Sequence, residues 1–218
     1  MPYNARFKRQ SLLSLLFLTT FAIILAVSPL FAATASNKKQ KTTQKVFPNT
    51  KIALNYGRYN IGDTRFKKVY DKGGQIFGLE AARTFIEGSP HSLSVSVGIR
   101  YFSRKGQATV TLEDSRLTLI PVHLGIRYGL KIKSYFPWLE AGFIVCPYKE
   151  SSDIKSSRGT SLGYHIQSGL SVKPSCLKGL CFTLFVRHAK LMAEENGIRV
   201  NLGGFEFGAG MGFFFNLF

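Results

Sequence analysis

The chain has 218 residues, a length that suits one domain, and its 29 Lys and Arg against 12 Asp and Glu give a formal charge of +17. That balance raises nucleic acid as a partner, but the charge is spread along the chain, no recognition motif accompanies it, and the first residues mark the chain for export. His91, His123, His165 and His188 show no paired metal-ligand spacing, so neither a metal site nor a cofactor is expected.

Arg6, Lys8 and Arg9 open the chain without an acid, an apolar run from Leu12 to Phe31 follows, and Ala33-Thr-Ala35 closes it. A basic segment, an apolar segment and an A-x-A site together read as a secretory signal peptide, residues 1–35. The run approaches the roughly 20 residues of a membrane-spanning helix, but Pro29 breaks it and no basic stop-transfer cluster follows. No cysteine stands there to receive a lipoprotein's lipid. Cleavage leaves 26 basic against 12 acidic residues, a charge of +14. Residues 36–50, with Lys38, Lys39, Lys41 and Lys45, read as a basic flexible N-terminal segment.

From residue 51 onward apolar residues alternate with small or polar ones, the period of a strand with one apolar face. Leu93, Val95, Val97, Ile99 and Tyr101 interleave with Ser94, Ser96, Gly98 and Arg100, and Val122, Leu124, Ile126 and Tyr128 with His123, Gly125 and Arg127. In chain order the pattern predicts strands at 51–60, 75–87, 92–103, 116–129, 135–148, 160–172, 180–189 and 204–218. Their connections alternate long and short, as in a barrel with long outer loops and short periplasmic turns. The expected fold is all-β, an eight-stranded antiparallel transmembrane β-barrel of up-and-down topology over 51–218. Pro121 lacks a ladder donor and is expected to disturb the fourth strand. Tyr59, Tyr101 and Tyr148 at the outer strand ends, with Phe85, Tyr128, Phe136 and Trp138 at the inner ends, are expected to form interfacial girdles.

Alternation turns Glu80, Glu140 and Glu206 inward together with Arg100, Arg127 and Arg187. Charges inside so narrow a barrel must pair to offset desolvation, so these six predict an interior Glu/Arg network that plugs the lumen, with Asn55, His123, His165 and Gln167 adding hydrogen bonds. The alternative is a gated ion path. Arg65, Lys67, Lys68 and Lys72 in the first long loop, Arg104 and Lys105 in the second, and Lys149, Lys155 and Arg158 in the third form a basic outer surface. That surface suits lipopolysaccharide phosphates or a surface polyanion, unless it is simply a solvated face. Cys176 and Cys181 flank a short turn facing the oxidising periplasm, where a disulfide is expected; Cys146 reads as a half-buried side chain. A serine hydrolase would need a Ser–His pair on the lipid-facing surface, and neither His165 with Ser168 nor His91 with Ser92 offers one. No catalytic residue is assigned.

The stretches Leu119-Ile-Pro-Val-His-Leu-Gly-Ile-Arg-Tyr128, Pro137-Trp-Leu-Glu-Ala-Gly142, Gly163-Tyr-His-Ile166 and Gly212-Phe-Phe-Phe-Asn-Leu-Phe218 resemble the OmpA-like and opacity-type outer-membrane barrel family. A monomer is expected, though the sequence does not fix the oligomeric state. The resemblance implies a bacterial outer-membrane location with lipid and lipopolysaccharide as surroundings. It also implies recognition of the terminal aromatic, Phe218, by the barrel-assembly machinery. One departure stands out: Phe207, Ala209, Met211, Phe213, Phe215 and Leu217 are one residue out of step with Phe218, which implies a bulge near Asn216. The expected role is structural or surface-interacting and non-enzymatic; the alternatives are a lipid A-modifying enzyme or a soluble ligand-binding barrel.

Overall fold

The computed structural model describes residues 49–70, 73–107, 114–152, 156–177, 179–195 and 198–216, without the side chains of Asn49, Arg65, Glu195, Ile198 and Asn216. The signal peptide, most of the basic segment after it, Lys72, Lys155 and Phe218 lie outside the described residues. Alternating sequence becomes strand throughout: β1 (Asn49–Ile61), β2 (Gly74–Glu87), β3 (His91–Gln107), β4 (Asp114–Leu119), β5 (Val122–Leu130), β6 (Tyr135–Ser152), β7 (Ser156–Val172), β8 (Leu180–Glu195), β9 (Ile198–Asn201) and β10 (Gly204–Asn216). Each pairs antiparallel with its neighbour, and β10 pairs with both β8 and β1, which closes the sheet on itself.

Ten strands occupy eight positions in the ring, because two pairs are single strands interrupted. Pro121 divides β4 from β5 as a donor gap and not as a bulge. Phe102 faces Leu119 and Ile99 faces Val122 in one unbroken register, and the Pro121 carbonyl still accepts from Arg100 N at 2.9 Å. Likewise β9 continues β10 along β8, with Asn201 opposite Met192 and Gly204 opposite Ala189. The register shift that does occur lies in β2, between Thr84 and Ile86. β10 runs regularly against β1 as far as Asn216 opposite Asn49, so the bulge expected near Asn216 is absent from the described strand.

The alternation has physical content on both faces. Leu54, Phe143, Leu162 and Leu184 point outward and are 63–75% exposed, within a band of exposed apolar side chains drawn from every strand position of the ring. Inside are buried Asn55, Glu80, Arg100, His123, Arg127, Glu140, His165, Gln167, Arg187 and Glu206. An apolar band of this extent is stable against lipid and not against water. The soluble alternative required the apolar face inward, and the structure reverses it.

Three corrections concern the long connections and the rims. β6 has 18 residues, where about 9–11 tilted residues cross a bilayer, so strand structure continues past the membrane into segments expected to be loops. Tyr59, Tyr148 and Trp138 do not join lipid-facing girdles. They stand on inward positions of their strands, Tyr59 and Trp138 fully buried, while Tyr101 and Phe85 face outward. The first connection also contains a helix that alternation did not reveal, α1 (Thr64–Tyr70).

Candidate functional site: the lumen and its mouth

Across the middle of the barrel the six predicted charges converge from β2, β3, β5, β6, β8 and β10. Arg127 is the hub. Its Nη2 donates to Glu80 Oε1 at 2.5 Å and to Glu140 Oε2 at 2.6 Å, its Nε donates to Glu140 Oε2 at 2.8 Å, and its guanidinium lies 3.9 Å from the Trp138 ring centre. Arg100 donates to Glu206 and lies 3.8 Å from Glu80; Arg187 lies 3.8 Å from Glu206. His165 Nε2 meets Glu140 Oε1 at 2.9 Å, and a nitrogen facing a carboxylate at that distance carries the proton. His123 packs edge-on against His165 with ring centres 5.2 Å apart.

Glycines make room for both imidazoles. Gly98 faces His123 and Gly142 faces His165 across the ladder. A Cβ on Gly98 would lie 2.4 Å from His123 Cε1, and one on Gly142 would lie 2.1 Å from the Leu124 carbonyl oxygen. His165 Cε1 lies 2.8 Å from the same Gly142 position, so the imidazole rings fill volume those side chains would occupy.

Toward the long-loop end the lumen turns apolar. Tyr59, Ile61, Ile76, Phe102, Leu119 and Leu191 form its wall, and α1 adds Phe66 and Tyr70 to the same cluster. A seven-residue helix is marginal in water, and burial of these two stacked rings, 4.5 Å apart, supplies what propensity lacks. Asp63 caps the helix by accepting from Phe66 N at 3.5 Å, and its other oxygen accepts from Asn201 N at 3.3 Å. At the far end Tyr70 donates to Glu150 at 2.5 Å and accepts from Ser115 at 2.9 Å. Burial and the adjacent Glu150 raise its phenol well above the ordinary range.

The basic residues divide. Arg104 faces the mouth, not the outer surface: β3 extends through it, its position is inward, and its Nε donates to the Tyr70 carbonyl at 3.4 Å, at the C-terminal end of α1. Lys67 and Lys68 are exposed on α1, whereas Arg65 is part of the helix with its side chain undescribed. Lys105, Lys149 and Arg158 stand exposed on the outward faces of β3, β6 and β7, and Arg116, which the sequence reading did not single out, joins them from β4. Lys105 lies directly opposite Arg116, and Lys149 directly opposite Arg158.

The expected disulfide is not formed. Cys181 points into the lumen from β8 and is fully buried, while Cys176 is exposed in the turn; both are free thiols, as is buried Cys146. The strand parity that buries Cys181 turns it away from the turn. The histidines likewise make no hydroxyl pair with serine among the described residues: His91 bonds Tyr128 at 2.5 Å and His165 bonds Glu140.

No protein-family model and no curated protein matches the sequence. Solved structures do match. The outer membrane protein OprG from Pseudomonas aeruginosa has TM-score 0.59 at 11% identity, covering 78% of this chain and 97% of that one. Ail, the attachment invasion locus protein of Yersinia pestis, gives 0.49 at 14% identity over 77% and 99%. The outer membrane enzyme PagL gives 0.45 at 15% identity over 74% and 98%. Identities this low speak to fold and not to activity. The closed antiparallel ring shares its fold with OprG, and with charge within and an apolar band without it gives this chain the architecture of a small eight-stranded outer-membrane β-barrel.

Proposed function

We propose that the protein is a non-enzymatic outer-membrane barrel whose basic outer wall binds phosphate groups of lipopolysaccharide. The observation that carries this reading is the pair of like-charge cross-strand contacts, Lys105 opposite Arg116 and Lys149 opposite Arg158, on the outward face of four successive strand segments. Like charges directly opposite on a sheet destabilise it, so four such residues side by side favour an anion between them. They stand a few residues beyond the last outward apolar positions, Tyr101 on β3 and Val145 on β6, the level of a lipid's phosphates. Each Lys or Arg near an anionic lipid surface contributes about 1 kcal/mol. Neutralising one pair to Gln is therefore expected to weaken lipopolysaccharide binding by roughly 30-fold, and raising salt to weaken the wild type. Titration of the refolded protein with lipopolysaccharide checks this. Equal binding by the wild type and the K105Q/R116Q/K149Q/R158Q variant would overturn it.

The same reading holds the lumen closed, by the Arg127-centred network at mid-height and the α1-capped apolar layer above it. Pure protein in planar bilayers is expected to show no stable conductance, and a large, persistent one would reverse the reading to an ion path. Assembly through Phe218 belongs to the proposal as well.

A further inference from the structure

Lys51 stands apart from the network around Arg127. Among the described residues four cations, Lys51, Arg100, Arg127 and Arg187, and three carboxylates, Glu80, Glu140 and Glu206, are buried in the barrel. Each arginine meets a carboxylate. Lys51 meets none within 4.0 Å. Its ammonium donates instead to Thr183 Oγ1 at 3.0 Å and Ser171 Oγ at 3.5 Å. These two hydroxyls are 2.9 Å apart, and Trp138 Nε1 donates to Ser171 at 3.2 Å. All four side chains are 5% exposed or less.

The donor balance of this cluster is one-sided. An ammonium brings three N–H groups, an indole one and two hydroxyls one each, against two hydroxyl oxygens as acceptors. Buried polar groups are ordinarily satisfied, and a buried cation is ordinarily paired. Lys51, Trp138 and Ser171 line a cavity of about 190 Å³ at the short-turn end, which Ser92, Ser94, Phe136 and Phe214 also line and which reaches Gly88 and Lys131. The Ser92 hydroxyl donates to the Gly129 carbonyl at 3.3 Å, Ser94 shares a 3.0 Å hydrogen bond with Thr84 and can donate into the cavity while accepting from it, and Phe136 and Phe214 give the cavity apolar walls.

The geometry points to a binding site, open toward the periplasmic turns, for a small carboxylate carried on an aromatic or apolar body. Lys51 Nζ takes the carboxylate oxygens, the Ser94 and Ser171 hydroxyls donate to them while accepting from Thr84 and Thr183, and Trp138, Phe136 and Phe214 hold the body. A carboxylate fits better than a phosphate dianion: one cation here is uncommitted, Arg127 is held by two carboxylates, and those carboxylates repel a second negative charge. The site shares no residue with the outer basic pairs, so either proposal can fail without the other.

Trp138 is the only tryptophan in the chain, so its fluorescence reports this cavity. Refolded protein in zwitterionic detergent is titrated with sodium benzoate, inorganic phosphate and sodium chloride at constant ionic strength. A saturable benzoate response, absent with chloride and weakened about tenfold or more by Lys51→Met, is expected. Thr183→Val, which keeps the ammonium but removes one of its anchors, is expected to weaken the response by a smaller factor, and it serves if Lys51→Met loses the heat-modifiable gel mobility of a folded barrel. A response that does not saturate, that chloride reproduces, that phosphate alone elicits, or that both variants leave unchanged would overturn the site.

Discussion

Replacing Arg127 with Met is expected to cost the barrel about 3–5 kcal/mol of folding stability. Three short hydrogen bonds tie this one guanidinium to Glu80 and Glu140, and all three side chains are buried. Removing it leaves two carboxylates inside the lumen, with Arg100 at 3.8 Å and His123 at 3.9 Å from Glu80 and the imidazole of His165 against Glu140 to answer them. The loss comes from the carboxylates left behind more than from the bonds removed. Adding Glu80→Gln and Glu140→Gln to Arg127→Met should therefore recover most of the stability, since neutralised partners no longer carry uncompensated charge. Urea unfolding from lipid vesicles, followed by heat-modifiable gel mobility, measures both variants. A loss below about 1 kcal/mol for the single change would mean that solvent reaches the network and screens it.

Phe102→Ala is expected to cost about 3–5 kcal/mol by a different route. Phe102 is fully buried at the top of β3, edge-on to Tyr59 with ring centres 5.5 Å apart, within the apolar cluster that receives Phe66 and Tyr70 from α1. Truncation leaves a cavity beneath a helix too short to persist without its burial. The change should be felt twice, as lower unfolding stability and as faster tryptic cleavage at exposed Lys67 and Lys68. Lost stability with unchanged cleavage would mean that the cap at Asp63 and the contacts of Tyr70 with Glu150 and Ser115 hold α1 without the cluster.

Period-2 patterning accounts for how much of this molecule is legible in one dimension. Along a strand each residue's face follows from its neighbour's, so the inward positions of Glu80, Arg100, Arg127, Glu140, Arg187 and Glu206 can be read locally, as can the outward positions of Leu54, Phe143 and Leu184. Lys51 was readable by the same rule, two residues before Ala53 and four before Asn55 on the inward side of β1. Tyr59, Tyr148 and Trp138 follow strand parity and not the preference of strand-end aromatics for the interface, and so stand inward. The strand extensions carry no such signal where neither face meets lipid, because polar residues then occupy both and alternation fades, as at Lys149 to Ser152.

Pairing across the lumen was decided elsewhere. Arg100 meets Glu206 across 106 residues of chain, and Lys51 meets Thr183 across 132, because the stagger of a closed sheet sets which inward positions share a level. The helix α1 belongs to the same class. Phe66, Val69 and Tyr70 have helical spacing, yet seven residues form a helix here because the barrel's apolar mouth buries two of their rings. By itself, then, the sequence determined which face each strand residue takes, since that depends on nearest neighbours alone. Only the tertiary structure decided which charges pair, where a cation meets no carboxylate among the described residues, and what packs into the mouth, since each depends on contacts between distant segments that exist only once the ring has closed.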